Sequence, residues 1–132
     1  MKSTFFRFFS AVLLALSLSQ FAHAADVVVI SNSGTTISAG DVKDVFLGEK
    51  QFAGGTKLIP VDNSALQANF LSKYMNMAGD KYNSMWTKKS FRDGLTPPAL
   101  KSGDAEVIDY VKRTPGAVGY VTSAPAGVNL VK

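Results

Sequence analysis

Val27-Val28-Val29-Ile30-Ser31-Asn32-Ser33-Gly34 is the stretch on which the fold turns. Four β-branched residues in a row read as a short buried strand, and the serine, asparagine and glycine that follow stop it. A few residues on, Ser38 and Asp41 stand at capping-box spacing, and Val42, Val45 and Phe46 repeat at helical spacing as far as Gly48. A buried strand that runs through a polar turn into an amphipathic helix is the repeating unit of an α/β domain.

The same alternation continues downstream. After the turn-rich Phe52-Ala53-Gly54-Gly55, Lys57-Leu58-Ile59-Pro60-Val61 reads as a second strand, and Pro60, which has no N–H to give a ladder, places it at an edge or a strand end. Ser64 with Gln67 offers a second capping box, and Leu66, Phe70, Tyr74 and Met77 form one stripe, so a helix is expected over 65–78. Asp80 can cap the next helix, with Tyr82, Met85, Trp86 and Lys89 at helical spacing and Trp86 as its anchor. The stretch 91–103 carries Gly94, Pro97 and Pro98 and is expected to be a loop, and within it 91–98 reads as either a binding rim or a packed Ω-type connection. The last helix is expected over 104–113, acidic at its start and basic at Lys112 and Arg113, and Thr114-Pro115-Gly116 ends it. Ala117–Val121 and Val128–Val131 are short apolar strands, which gives an α/β domain of about four strands and four helices.

Upstream of the first strand the pattern is of another kind. Lys2 and Arg7 precede an apolar and small-residue run from Phe8 to Ser19, and Ala22-His23-Ala24 follows, which is the grammar of a secretory signal peptide. A run of about a dozen residues is too short for a membrane span, so cleavage is expected after Ala24, export to the periplasm follows, and 25–132 forms one domain. Without Lys2 and Arg7 the 14 basic residues fall to 12 against 10 acidic ones. The basic balance of the whole chain therefore does not point to a nucleic-acid partner.

The exclusions weigh more than the motifs. His23, the one histidine, belongs to the leader, and the chain has no cysteine. The mature chain thus lacks the usual general base near neutral pH, a thiolate nucleophile, and the nitrogen and sulfur ligands that zinc and copper favour. Asp41, Asp44, Glu49, Asp104, Glu106 and Asp109 read as cap and solvent-face residues, with no pair set out as a glycosidase-like acid and base. Binding without catalysis, and without cofactor or metal, is the expectation. An enzyme would have to rest on a hard cation held by oxygens.

Two loops are candidates for that binding. Ser33, Gly34 and Thr35 follow the first strand, where a polar, glycine-bearing turn can hold an anion by hydroxyls and backbone N–H groups, although strand-to-helix turns have the same composition. Asp62, Asn63 and Ser64 follow the second strand at the start of a helix, where free N–H groups attract anions and where capping is the plain alternative.

Four blocks carry a resemblance to a known family. Ile37 to Lys50, ending Val45-Phe46-Leu47-Gly48-Glu49-Lys50, resembles the "IFLGK" segment of phosphate-type periplasmic solute-binding proteins. Leu58-Ile59-Pro60-Val61-Asp62-Asn63-Ser64 leading to Phe70, and Trp86 to Gly94 with Phe91, agree in order. Thr114-Pro115-Gly116-Ala117-Val118-Gly119-Tyr120-Val121 resembles that family's "PGAIGYV" signature.

The resemblance implies a single lobe of a type 2 periplasmic-binding-protein-like fold, a small oxyanion such as phosphate as ligand, and a link to a membrane transporter or another envelope protein. In that family two lobes close on the anion, and one contributes an arginine four residues before a Ser-Gly-Thr at a helix start. Here Asp62 and Ser64 match, but Pro60 stands at the arginine position, Ala65 and Leu66 replace the glycine and threonine, and Asn63 replaces a glycine. A second lobe has no counterpart in the chain. The expectation is therefore a weak oxyanion binder, completed by a partner or a second copy, or else a docking module that kept the scaffold without the site.

Overall fold

The computed structural model describes residues 26–132; the leader expected over 1–24 lies outside them. In chain order the elements are β1 (Val28–Asn32), a 3-10 turn (Ala39–Asp41), α1 (Val42–Phe46), β2 (Phe52–Ala53), β3 (Thr56–Lys57), β4 (Ile59–Asn63), α2 (Gln67–Phe70), a π turn (Leu71–Met75), α3 (Gly79–Asp93), β5 (Ala99–Lys101), α4 (Asp104–Arg113), β6 (Ala117–Val121) and β7 (Val128–Leu130). No helix among the described residues is long and apolar enough to cross a membrane.

Five strands form one mixed sheet in the order β5-β4-β6-β1-β7, and β2 and β3 make a separate hairpin across Gly54-Gly55. β4 runs parallel to β5 and β6, while β1 is antiparallel to both β6 and β7, so β1 alone points the other way. The valine-rich composition of β1 has its cause in this position: β1 and β6 are central, and helices cover both faces. On one face Val27, Val29, Val118 and Tyr120 pack against α1, α2, the π turn and α3. On the other, Ile30, Val61, Ala117 and Val121 pack against Val107 and Val111 of α4.

Two glycines set how closely these layers approach. A side chain at Gly119 would put its Cβ 2.6 Å from Val107 Cγ1, so the bare backbone of β6 lets α4 sit against the sheet. Gly116 has φ +83°, and a Cβ there would fall 2.0 Å from the Lys57 carbonyl oxygen. That approach lets the Gly116 carbonyl accept from the Ile59 N–H at 2.8 Å, the first bond joining β4 to β6.

The α/β class holds, with five strands in the main sheet where about four were expected. The helix expected over 65–78 is shorter and irregular. It begins at Gln67, widens into a π turn at Leu71, and ends where Asn76 turns left-handed at φ 48°. The buried stripe is accordingly Leu66, Phe70, Leu71 and Met75, while Tyr74 and Met77 are half-buried. Phe70 stacks on Tyr120 with ring centroids 4.0 Å apart and planes 4° from parallel, which fixes this segment to the sheet.

Ser64 does not cap that helix; Leu66 is the residue before its first turn. Asn63 makes the local bond instead, its Oδ1 accepting from the Ala65 N–H at 3.1 Å, because an asparagine side chain reaches two residues on where a serine hydroxyl does so more weakly. Pro60 lies near the start of β4 and not on an edge strand. The β5 ladder begins only at Val61, so no neighbour on that side requires the N–H that Pro60 lacks. The loop expected over 91–103 is kept at 94–98 and 102–103 and replaced elsewhere: α3 continues to Asp93, Gly94 ends it at φ 66°, and Ala99–Lys101 form β5.

Candidate functional site

Asp62, near the C-terminal end of β4, is 3% exposed. Its carboxylate accepts from Tyr82 Oη and Tyr120 Oη, each at 2.9 Å, and the Gln67 side chain adds a further hydrogen bond. Burial raises the Asp62 pKa above its ordinary value, and the hydrogen bonds oppose that rise without cancelling it. Both tyrosine hydroxyls are held protonated, first by burial and then by the carboxylate charge beside them. The group is a network that joins β4, β6 and α3, and Asp62, Gln67 and Tyr82 border a cleft along α3.

Asn63 is fully buried and also spent on structure. Its Nδ2 donates to Asp104 Oδ1 at 2.8 Å and to the Tyr120 carbonyl at 3.0 Å. Ser64 is exposed; its N–H donates to the Lys101 carbonyl at 2.9 Å and its hydroxyl to the Ser102 carbonyl at 3.1 Å. These bonds close the gap between the ends of β4 and β5. The strand order reverses about β4, since the chain passes outward to β5 and then back across to β6. In open α/β sheets such a switch point is where ligands bind.

The charge at this end is of the wrong sign for an oxyanion. Asp104 accepts from Asn63 and, at 3.1 Å, from the Thr122 N–H. Burial opposes ionisation of Asp104, but the hydrogen bonds from Thr122 and Asn63 prevail, so its pKa lies below the ordinary value. Glu106, fully open to solvent, accepts from the Ser102 N–H and hydroxyl, which lowers its pKa too. Two ionised carboxylates thus occupy the first turn of α4, where a bound anion would otherwise gain from the helix dipole.

The other candidate loop is a lock. Thr35 is buried, and its Oγ1 accepts from the Gly116 N–H at 2.9 Å. The Gly34 N–H is taken by Asn32 Oδ1 at 3.0 Å, and Asn32 Nδ2 donates to the Val111 carbonyl at the end of α4. Asn129 Nδ2 lies within bonding distance of the Asn32, Ser33 and Thr35 carbonyls. Ser33 and Gly34 are exposed at the surface of this knot.

The two loops do not meet. Because β1 is antiparallel to β6, Ser33, Gly34 and Thr35 sit beside Gly116, at the starting end of β6. Ser64 sits beyond the far end of β4, which runs parallel to β6. The length of a five-residue strand, roughly 15 Å, separates them. No single small ion touches both.

A different surface carries larger clefts. Two clefts flank the segment 94–98: one of about 460 Å³ toward α4, lined by Lys50, Lys57, Ala99 and Tyr110, and one of about 500 Å³ along α3, lined by Thr87, Phe91 and Leu100, with Pro97 and Pro98 common to both. Phe91 is 90% exposed and Leu100 is 61% exposed. The sequence offers a rim or a packed connection at Phe91, but the prolines before Leu100 hide the strand there. The tyrosine partners of Asp62 were equally hidden, the only signal being an aspartate at the end of an apolar strand. Among the described residues no group of three or more carboxylate, histidine or cysteine side chains could hold a metal.

No model of a known protein family matches the chain, and no curated protein is similar enough to stand as a relative.

Proposed function

We propose that the chain is an exported, non-catalytic binding protein of the envelope, a single lobe of the phosphate-type solute-binding scaffold that it resembles, acting by docking to another envelope protein. The observation that carries this reading is the separation of the two candidate loops to opposite ends of the sheet, with Thr35, Asp62 and Asn63 already committed to internal hydrogen bonds. A lobe of this kind offers one wall, and one wall leaves a small ion wet and weakly held. A link to a phosphate-type transporter rests on the resemblance.

A second reading keeps a weak oxyanion site at Ser64. It is favoured by the position of Ser64 and Ser102 at the switch point of the sheet. The two readings separate in a crosslinking experiment on envelopes that contain the native protein. Docking gives a discrete adduct with one envelope protein, and the adduct persists in Ser64→Ala. A chain found only as free monomer contradicts it. Export is tested by the N-terminus of the mature protein, expected at Ala25.

A further inference from the structure

We infer that the outer edge of β5 accepts an extended segment of a partner protein as an added strand, with apolar side chains on one face of that segment and acidic ones on the other. The inference rests on the docking reading and names the surface.

β5 is the last strand of the sheet and pairs with β4 alone. Its register with β4 places Lys101 opposite Asn63, and the Lys101 carbonyl accepts from the Ser64 N–H. In a parallel ladder the N–H and C=O of one residue point the same way and alternate along the strand. Ala99 and Lys101 therefore face β4, and the N–H and C=O of Leu100 face outward. An outward donor and acceptor on an edge strand are a template for another chain.

The side chains alternate in the same manner. Leu100 lines the cleft along α3, beside Phe91, and Ala99 lines the cleft toward α4. An added strand would thus have one cleft for each of its faces, which is how strand addition gains specificity. The α3 side offers Phe91, Pro97 and Leu100 to a strand, and no lysine or arginine lines it, whereas Asp62 does. The α4 side carries Lys57 and Lys50, with Lys101 Nζ 4.4 Å from the Tyr110 ring centroid, and no carboxylate lines that cleft. Lys50 is paired with Asp41, and Lys101 lies near the Glu106 carboxylate, whose pKa it helps to lower, so Lys57 is the charge left to a ligand. That asymmetry selects a segment apolar on one face and acidic on the other.

The test uses a short labelled peptide that alternates valine and glutamate, titrated with the mature protein by fluorescence anisotropy. Saturable binding is expected. Leu100→Pro removes the outward N–H and leaves the two β4-facing residues in place, and it should weaken binding roughly fivefold or more. Lys57→Glu should weaken it by a similar factor, whereas Ser33→Ala, at the other end of the sheet, should not change it. Circular dichroism of each variant confirms that the fold is retained. Should Leu100→Pro unfold the chain, Phe91→Ser takes its place with the same expectation. Failure to saturate, equal affinity for a valine–lysine peptide, or full binding by folded variants overturns the inference. Self-association of the free protein that Leu100→Pro abolishes assigns the edge to a second copy and overturns the partner named here. Peptide failure together with a persistent crosslink in envelopes removes this edge while leaving docking in place.

Discussion

Asp62 belongs to the loop after the second strand that reads as a candidate binding site, yet its oxygens face two tyrosine hydroxyls inside the core. Removing one donor leaves a buried carboxylate short of a partner, which costs on the order of 1–3 kcal/mol. Tyr120→Phe should therefore lower stability by about that much in urea unfolding, with Asp62→Asn relieving part of the loss. The pH dependence has a definite sign. Because the folded pKa of Asp62 is raised, the folded state holds that proton more tightly than the unfolded chain does. Its contribution to stability is present at low pH and is lost as pH rises through the folded pKa. Wild type should thus lose stability relative to Asp62→Asn as pH rises through that range, and parallel curves for the two proteins would contradict the raised pKa. Asp104, with a lowered pKa, acts in the opposite sense, adding stability above the ordinary carboxylate range that is lost on acidification.

At the scale of elements, the sequence is most legible where periodicity and end signals agree. The expected span of α4 matches its observed bounds because Val107 and Val111 face the sheet while acidic and basic residues flank the two ends. β6 is equally plain, five buried residues after a Pro-Gly turn. The π turn is not legible: it follows Phe70, which packs against Tyr120 and Phe46, residues distant in sequence. β5 escapes for another reason: three residues after two prolines carry no period, and pairing to β4 alone makes them a strand. The close seat of α4 is testable. Gly119→Ala would drive a methyl into Val107 and should cost about 1–3 kcal/mol as an overpacking change, measured by denaturant midpoint at constant m value. An unchanged midpoint would mean that α4 sits further from β6 than described.

For the whole molecule, the decisive relation is between the two ends of one sheet. Each candidate loop was legible as a polar turn after a strand, but which end each turn occupies depends on the direction of β1, and no local pattern states that direction. The single antiparallel strand sends Ser33 and Gly34 to one end and leaves Ser64 at the other. The absence of cysteine places stability on the two cores alone, one on each face of the sheet. Ser33 and Gly34 at one end and Ser64 at the other are exposed, so an anion at either end would meet bulk water. The measurement that bears most directly on this is the melting temperature of the mature protein across a phosphate titration, with sulfate as control. A ligand that binds the native state stabilises it by RT ln(1 + [L]/Kd), so a dedicated site would give a saturable rise. The separation of the loops predicts no phosphate-specific shift through millimolar concentrations, and a saturable rise with phosphate that sulfate does not reproduce would contradict it.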